Sequence, residues 1–117
     1  MAAFVALGLG RQPERPEPQM GAKSAVMVGA GDIAECLRYA DNATAKLLDD
    51  IPGTVFTVGD NVYPSASSWQ FAFCYAPTWG RHKARTKPSV GNHEYETPGA
   101  SGYFGYFGAA AGEPGNG

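Results

Sequence analysis

Long apolar stretches are missing from this sequence: no run approaches the roughly 18 consecutive residues that a membrane helix needs, so no membrane span is predicted. A basic excess is missing too. The formal net charge is −2 and the pI about 5.6. No surface for a polyanion is advertised, and nucleic acid is excluded as the first partner to consider. Histidine is scarce, with His82 and His93 the only two and none beyond. Cysteine is limited to Cys36 and Cys74. With 117 residues there is room for one domain at most. What the chain has in quantity is glycine, 16 residues, about twice the usual share of roughly 7%. Such a composition suits loops that approach a ligand closely, and it leaves less apolar material for a core.

Residues 1–23 read as a flexible N-terminal segment. Ala2 to Leu9 is apolar, but no Lys or Arg precedes it and no clean small-residue cleavage site follows. A peripheral start therefore fits better than a signal peptide that has lost its basic end. Arg11 to Gln19 carries three prolines among alternating charges and reads as an extended linker.

The organised part begins at Ser24. Ser24–Ala30 (SAVMVGA) is apolar without alternation, the pattern of a parallel strand covered on both faces. A helix is predicted from about Asp41 to Asp50, with Asp41 or Asn42 as N-cap. Its buried face would be Ala43, Leu47 and Ile51, and Pro52-Gly53 would stop it. Thr54–Val58 (TVFTV) is β-branched and aromatic, the clearest strand. Ser67 caps a predicted short helix to about Tyr75. Its Trp69, Phe71, Phe73 and Tyr75 are too many aromatics for one face, so some should pack on the sheet and some on residues outside the chain. Arg81 to Arg85, with His82 among them, is a basic turn expected to be a solvated face. Lys87–Val90 is a short third strand interrupted by Pro88. Ser101–Phe107 is either a helical turn over the site or a low-complexity loop.

Three polar motifs follow the three strands: Gly31-Asp32, Gly59-Asp60-Asn61-Val62-Tyr63 and Gly91-Asn92-His93-Glu94. Asp32 and Asp60 are 28 residues apart, and Asp60 and Asn92 are 32 apart. One strand–helix–strand step takes about 30 residues. The polar groups thus recur once per step, and parallel strands would present them on one carboxyl edge, where open α/β sheets bind ligands. Two carboxylates and an amide oxygen crowded together are hard donors that call for a cation.

In order and spacing these motifs resemble the calcineurin-like metallophosphoesterases, and the purple acid phosphatase branch in particular. The resemblance covers roughly residues 24–108. It implies an α/β fold with a mainly parallel sheet and flanking helices, part of a four-layer αββα sandwich. By the same resemblance Asp32 binds a first metal, Asp60 bridges two, Asn92 binds the second, and Tyr63 stands where that branch places a tyrosinate on its ferric ion. His93 is the expected catalytic acid that steadies the substrate oxygen. Ala34 stands where other branches carry a histidine, which favours the tyrosinate branch. The implied cofactors are two metal ions, iron with iron, zinc or manganese, and the implied substrate is a phosphate ester, by default a monoester.

The family's later histidine motifs have no counterpart after His93, so residues 24–117 are expected to be an incomplete phosphoesterase domain, the N-terminal part of a longer protein, inactive alone. The second reading is a truncated, non-catalytic chain with weak metal binding or an interaction role. Taken singly, an Asp after a Gly at a strand end simply caps a turn. An open sheet face and poor stability are expected of the isolated chain. Cys36 and Cys74 would both lie near the same sheet edge, where they form either a disulfide or two separate buried thiols. A bridge would close 38 residues, contribute roughly 4 kcal/mol, and lean toward export into an oxidising compartment.

Overall fold

The computed structural model describes residues 24–115. The N-terminal segment 1–23 and the last two residues lie outside the described residues. The elements run β1 (Met27–Ala30), β2 (Ala34–Glu35), α1 (Ala40–Asp50), β3 (Thr54–Thr57), β4 (Val62–Tyr63), α2 (Ser68–Gln70), β5 (Thr86–Lys87) and α3 (Ser101–Phe107). Tight helical turns at Trp79–Arg85, His93–Glu96, Pro98–Ala100 and Gly108–Ala111 connect them. This is a small α/β protein with short parallel strands. One sheet has the order β1-β3-β5 and the other pairs β2 with β4, all parallel.

The strand expected at Ser24 starts at Met27 and is not covered on both faces. Met27 is exposed, because β1 is an edge strand. In β3 the side chains alternate: Val55 and Thr57 are buried, whereas Thr54 and Phe56 are half-buried and Val58, just beyond, is exposed. One sheet face therefore carries the core. On the other, Phe56 lies over Gly29, where a Cβ would overlap its ring. The third strand comes earlier than its sequence suggested, at Thr86–Lys87 and not Lys87–Val90. Pro88 lacks an amide hydrogen and ends the ladder. Ser89 then ties back by donating its N–H to the Thr57 hydroxyl at 3.0 Å.

Helix α1 starts one residue early and lacks the expected cap. Its N-cap is Tyr39, without a side-chain hydrogen bond, and Asp41 sits inside the first turn. The buried residues are Asp41, Ala45 and Leu48, while Ala43 and Leu47 face solvent. Two polar anchors explain this roll. Thr78 Oγ1 donates to Asp41 Oδ2 at 2.6 Å, and Trp79 Nε1 donates to Thr44 Oγ1 at 2.9 Å.

The basic run is not a solvated face either. Arg85 donates to the carbonyls of Leu48 and Gly53 at 2.6 and 2.8 Å, satisfying acceptors at the end of α1 that the helix itself leaves open. Arg81 and His82 both reach Asp49, at 2.8 and 2.9 Å, and the His82 side chain is only 11% exposed. Arg81 is the chief reason that the Asp49 carboxyl is held below its ordinary range.

Ser67 caps α2 as expected, in a reciprocal capping box with Gln70. The helix then widens into a π-helical turn over Phe71–Tyr75. Phe71 and Tyr75 are buried against Tyr103, Phe104 and Phe107 of α3, with Phe71 and Tyr106 stacked at 4.9 Å. The aromatics of these two segments thus fill one another's core, and do not await residues outside the chain. Gly102 lets α3 approach the turn before α2, where any Cβ would overlap the Ala66 carbonyl. Trp69 and Phe73 are the exceptions, 60% and 66% exposed. Cys36 and Cys74 are joined in a disulfide, Cα atoms 4.9 Å apart. Among the described residues, no helix is long and apolar enough to cross a membrane.

Candidate metal centre

The site is built from two arms of like construction. One runs from β1 through Gly31-Asp32 into β2, and the other from β3 through Gly59-Asp60 into β4. They pair along their whole length. Asp32, Ile33 and Ala34 donate their N–H groups to the carbonyls of Gly59, Asp60 and Asn61 at 3.1–3.3 Å. Ala30 pairs with Thr57 and Ala34 with Val62, so three residues on one arm face four on the other. The extra residue brings Asp32 opposite Asp60. Both aspartates have left-handed backbones, φ 51° and 50°, a conformation that Asp tolerates better than most residues. Each arm turns at a crowded glycine. A Cβ on Gly31 would lie 2.8 Å from a Val58 methyl, and one on Gly59, where φ is +95°, 2.8 Å from Gly91 Cα.

The two carboxylates meet at Tyr63. Its hydroxyl lies within hydrogen-bonding reach of both, close against Asp32 Oδ1 and 3.1 Å from Asp60 Oδ2. A phenol has one proton, so this proton is shared between two acceptors. The Asp32 hydrogen bond foremost, then burial, then the Asp60 hydrogen bond hold the Tyr63 phenol well above its ordinary range. In the metal-free protein Tyr63 is therefore a neutral donor, not a tyrosinate.

The third motif closes over Asp60. The N–H of His93 donates to Asp60 Oδ1 at 3.0 Å. His93 Nδ1 is 2.6 Å from the Pro64 carbonyl. That oxygen can only accept, so Nδ1 carries a proton and Nε2 remains to take or give one. The imidazole also sits edge-on to Tyr63, centroids 4.5 Å apart. Asn92 stands exposed at the head of the same turn, and its side chain takes no part in this network.

Glu94 is the group whose role the sequence did not disclose. It is fully buried, and its carboxylate accepts the N–H groups of Asp60, Asn61 and Gly91 at 3.0, 2.7 and 2.5 Å, with the Asn61 amide at 3.2 Å. Asn61 Nδ2 continues to the Ser89 carbonyl at 2.9 Å. Glu94 therefore fastens the second arm to the third loop. The only signal in the sequence was its place in Gly-Asn-His-Glu, three residues after Gly91. Gly91 itself must be glycine, because a Cβ would enter the Asp60 carboxylate.

Of the predicted residues, the structure brings Asp32, Asp60, Tyr63 and His93 together and leaves the Asn92 side chain apart. The donor chemistry suits a hard cation: two carboxylates and a phenol oxygen meet around a single proton. Among the described residues, no group of three or more His, Cys, Asp or Glu side chains is placed to hold a metal ion. The aspartate pair is then at most part of a ligand set. No family model, curated protein or solved structure matches this chain.

Proposed function

We propose that this chain carries the aspartate-bearing part of a metal-dependent phosphoesterase, hydrolysing phosphate monoesters at a two-metal centre. The single observation behind this reading is the convergence of Asp32, Asp60 and Tyr63 on one shared proton, with His93 fixed beside them. The motif resemblance supplies the reaction class.

Asp32, Asp60 and Tyr63 would hold the ions, iron paired with iron, zinc or manganese, and Asn92 would join them by turning its exposed side chain inward. Such a pair supplies Lewis acidity and an activated water for in-line attack on phosphorus. The protein residues have separate tasks. Asp60 is suited to bridging because both its oxygens are already aimed, one by the His93 N–H and one by the Tyr63 hydroxyl. Tyr63 must surrender its proton before it can ligate. His93, anchored through Nδ1, keeps Nε2 to protonate the departing oxygen of the substrate.

The further ligands that this centre needs would come from a longer polypeptide that also completes the αββα sandwich. The sheet face bearing Met27, Phe56 and Val58 supports this, being uncovered among the described residues. The disulfide supports export to an oxidising compartment.

The competing reading is a non-catalytic chain that binds a divalent ion weakly or serves as an interaction module. The lack of a three-ligand cluster among the described residues favours it. Calorimetric titration with manganese separates the two. The phosphoesterase reading expects binding that Asp60→Ala abolishes and that is accompanied by proton release, which Tyr63→Phe removes. Binding indifferent to Asp60→Ala overturns it. Hydrolysis of p-nitrophenyl phosphate by this chain alone, lost in Asp60→Ala, overturns the non-catalytic reading.

A further inference from the structure

A cleft of about 610 Å³ opens directly beside the aspartate pair, lined by Leu37, Cys36, Trp69, Pro64, Tyr63 and Glu35 among others. Its walls are mostly apolar although they face water. Leu37 is 87% exposed and Trp69 60%. Exposed apolar side chains gathered around one concavity mark a binding surface more than scattered ones do.

The cleft is continuous with the candidate metal centre through two shared residues. Tyr63 lines it and also donates to the carboxylates. Pro64 lines it and also accepts from His93 Nδ1 at 2.6 Å. The walls are held in place. The disulfide ties the Leu37 loop to the turn after α2, and Trp69 rests against Phe73 with centroids 5.3 Å apart. The indole thus presents a firm face for a flat ring. At the rim, Glu35 pairs with Arg38 at 3.3 Å. A carboxylate there disfavours a second anionic group on the occupant.

We infer that this cleft seats the leaving group of the substrate, and that the group is an uncharged aromatic ring system: the preferred substrates are aryl phosphates. The inference rests on the phosphoesterase reading. The phosphoryl group would sit at Asp32, Asp60 and His93 while the ring lies between Leu37 and Trp69. In hydrolysis the bond from phosphorus to the aryl oxygen breaks. A water oxygen replaces it on phosphorus, and a proton from that water ends on the released phenol. A cleft of this size accommodates a bicyclic ring, since small-molecule sites span roughly 300–1,000 Å³.

The test uses nuclear magnetic resonance of the full chain. The sequence has two tryptophans, and the Trp79 indole N–H is committed to Thr44, so it serves as the internal reference for Trp69. The probes are 2-naphthyl phosphate, 2-naphthol and glycerol 2-phosphate, each with manganese. The expected result is that both naphthyl probes shift the Trp69 indole signal and leave that of Trp79 in place. Naphthyl phosphate should bind at least about tenfold tighter than glycerol 2-phosphate, and Leu37→Ser or Trp69→Ala should erase the difference. Both positions are exposed, so these variants keep the fold.

If the naphthyl probes leave Trp69 unmoved, or Leu37→Ser does not weaken them, the cleft is no leaving-group seat and the phosphoesterase reading stands unharmed. If naphthol binds at Trp69 but the phosphate adds no affinity and Asp60→Asn changes nothing, the phosphoesterase reading fails. The leaving-group assignment then falls with it, and an aryl-binding cleft remains.

Discussion

The arms that carry Asp32 and Asp60 share a backbone plan but differ in how firmly it is held. Each has a glycine, then an aspartate at φ near 50°, then a two-residue strand. The Asp60 arm is clamped: its next two backbone N–H groups end on Glu94, and its carboxylate accepts from His93 and Tyr63. The Asp32 carboxylate is exposed and has only the Tyr63 hydroxyl as a side-chain partner. A ligand common to two ions must be fixed before either arrives, since positioning it afterwards would draw on binding energy. A ligand to one ion can adjust. The contrast therefore matches the roles proposed for the two residues, Asp60 as bridge and Asp32 as terminal ligand.

The most damaging way to abolish the contrast is Glu94→Leu. It leaves three buried backbone N–H groups without an acceptor, at roughly 1–3 kcal/mol each. We expect a loss of about 4–6 kcal/mol in urea denaturation, large enough to unfold a chain of this size at room temperature. Hydrogen exchange on Glu94→Gln, which keeps one acceptor, should show Asn61 and Gly91 opening faster while Asp32 is little changed. Equal acceleration in both arms would show that the clamp belongs to the whole sheet.

Reducing the Cys36–Cys74 bridge attacks the other arm. The bond closes a separation of 38 residues, so its removal should cost up to roughly 4 kcal/mol by loop entropy. The Asp32 arm leads into Cys36, whereas the Asp60 arm keeps its hold on Glu94. In Cys36→Ser and Cys74→Ser alike, exchange should therefore quicken at Ala34 and Glu35 more than at Asn61 and Val62.

A gentler probe is the ionisation of Tyr63, which touches both arms. Its folded pKa is raised, with the Asp32 hydrogen bond as first cause. The unfolded state then releases this proton more readily than the folded one. The stabilisation is complete below the ordinary value of about 10 and declines as pH rises beyond it toward the folded value. In ultraviolet difference titrations against Tyr63→Phe, the metal-free protein should hold this phenol neutral above pH 10. Asp32→Asn should bring its titration back toward the ordinary range further than Asp60→Asn does. The reverse order would make Asp60 the dominant acceptor.

Much of this arrangement was legible in the chain, for identifiable reasons. The repeat of Gly-Asp after β-branched or apolar runs gave the two arms, because parallel pairing converts a spacing of 28 residues into side-by-side tips. Ser67 and Gln70 disclosed their helix start because a capping box is local. What stayed hidden depends on partners distant in sequence. β2 and β4 are two residues each, too short for any periodicity, and exist only because the arms pair. Ala43 and Leu47 looked like the buried face of α1 until Thr78 claimed Asp41. The basic run looked solvated because the carbonyls that Arg85 meets lie 32 and 37 positions earlier. Glu94 was visible as a letter in a motif, but its task required three loops to be in place.

The finest distinction between the arms comes from replacing each aspartate with glycine. A left-handed backbone costs an ordinary residue roughly 1–2 kcal/mol, and somewhat less for Asp. Glycine removes that strain at both positions. At Asp32 the only side-chain bond lost is the one from Tyr63, which can turn to Asp60, 3.1 Å away. The loss and the relief should nearly cancel, leaving Asp32→Gly within about 0.5 kcal/mol of the parent. At Asp60 the same relief is set against a carboxylate that accepts from both the His93 N–H and the Tyr63 hydroxyl. A hydrogen bond to a charged group contributes roughly 1.5–3 kcal/mol, so Asp60→Gly should lose about 1–3 kcal/mol on balance. Paired urea melts measure the difference directly. If the two glycine variants prove equally stable, the Asp60 network is no stiffer than the exposed Asp32, and the assignment of bridge and terminal ligand loses its structural footing.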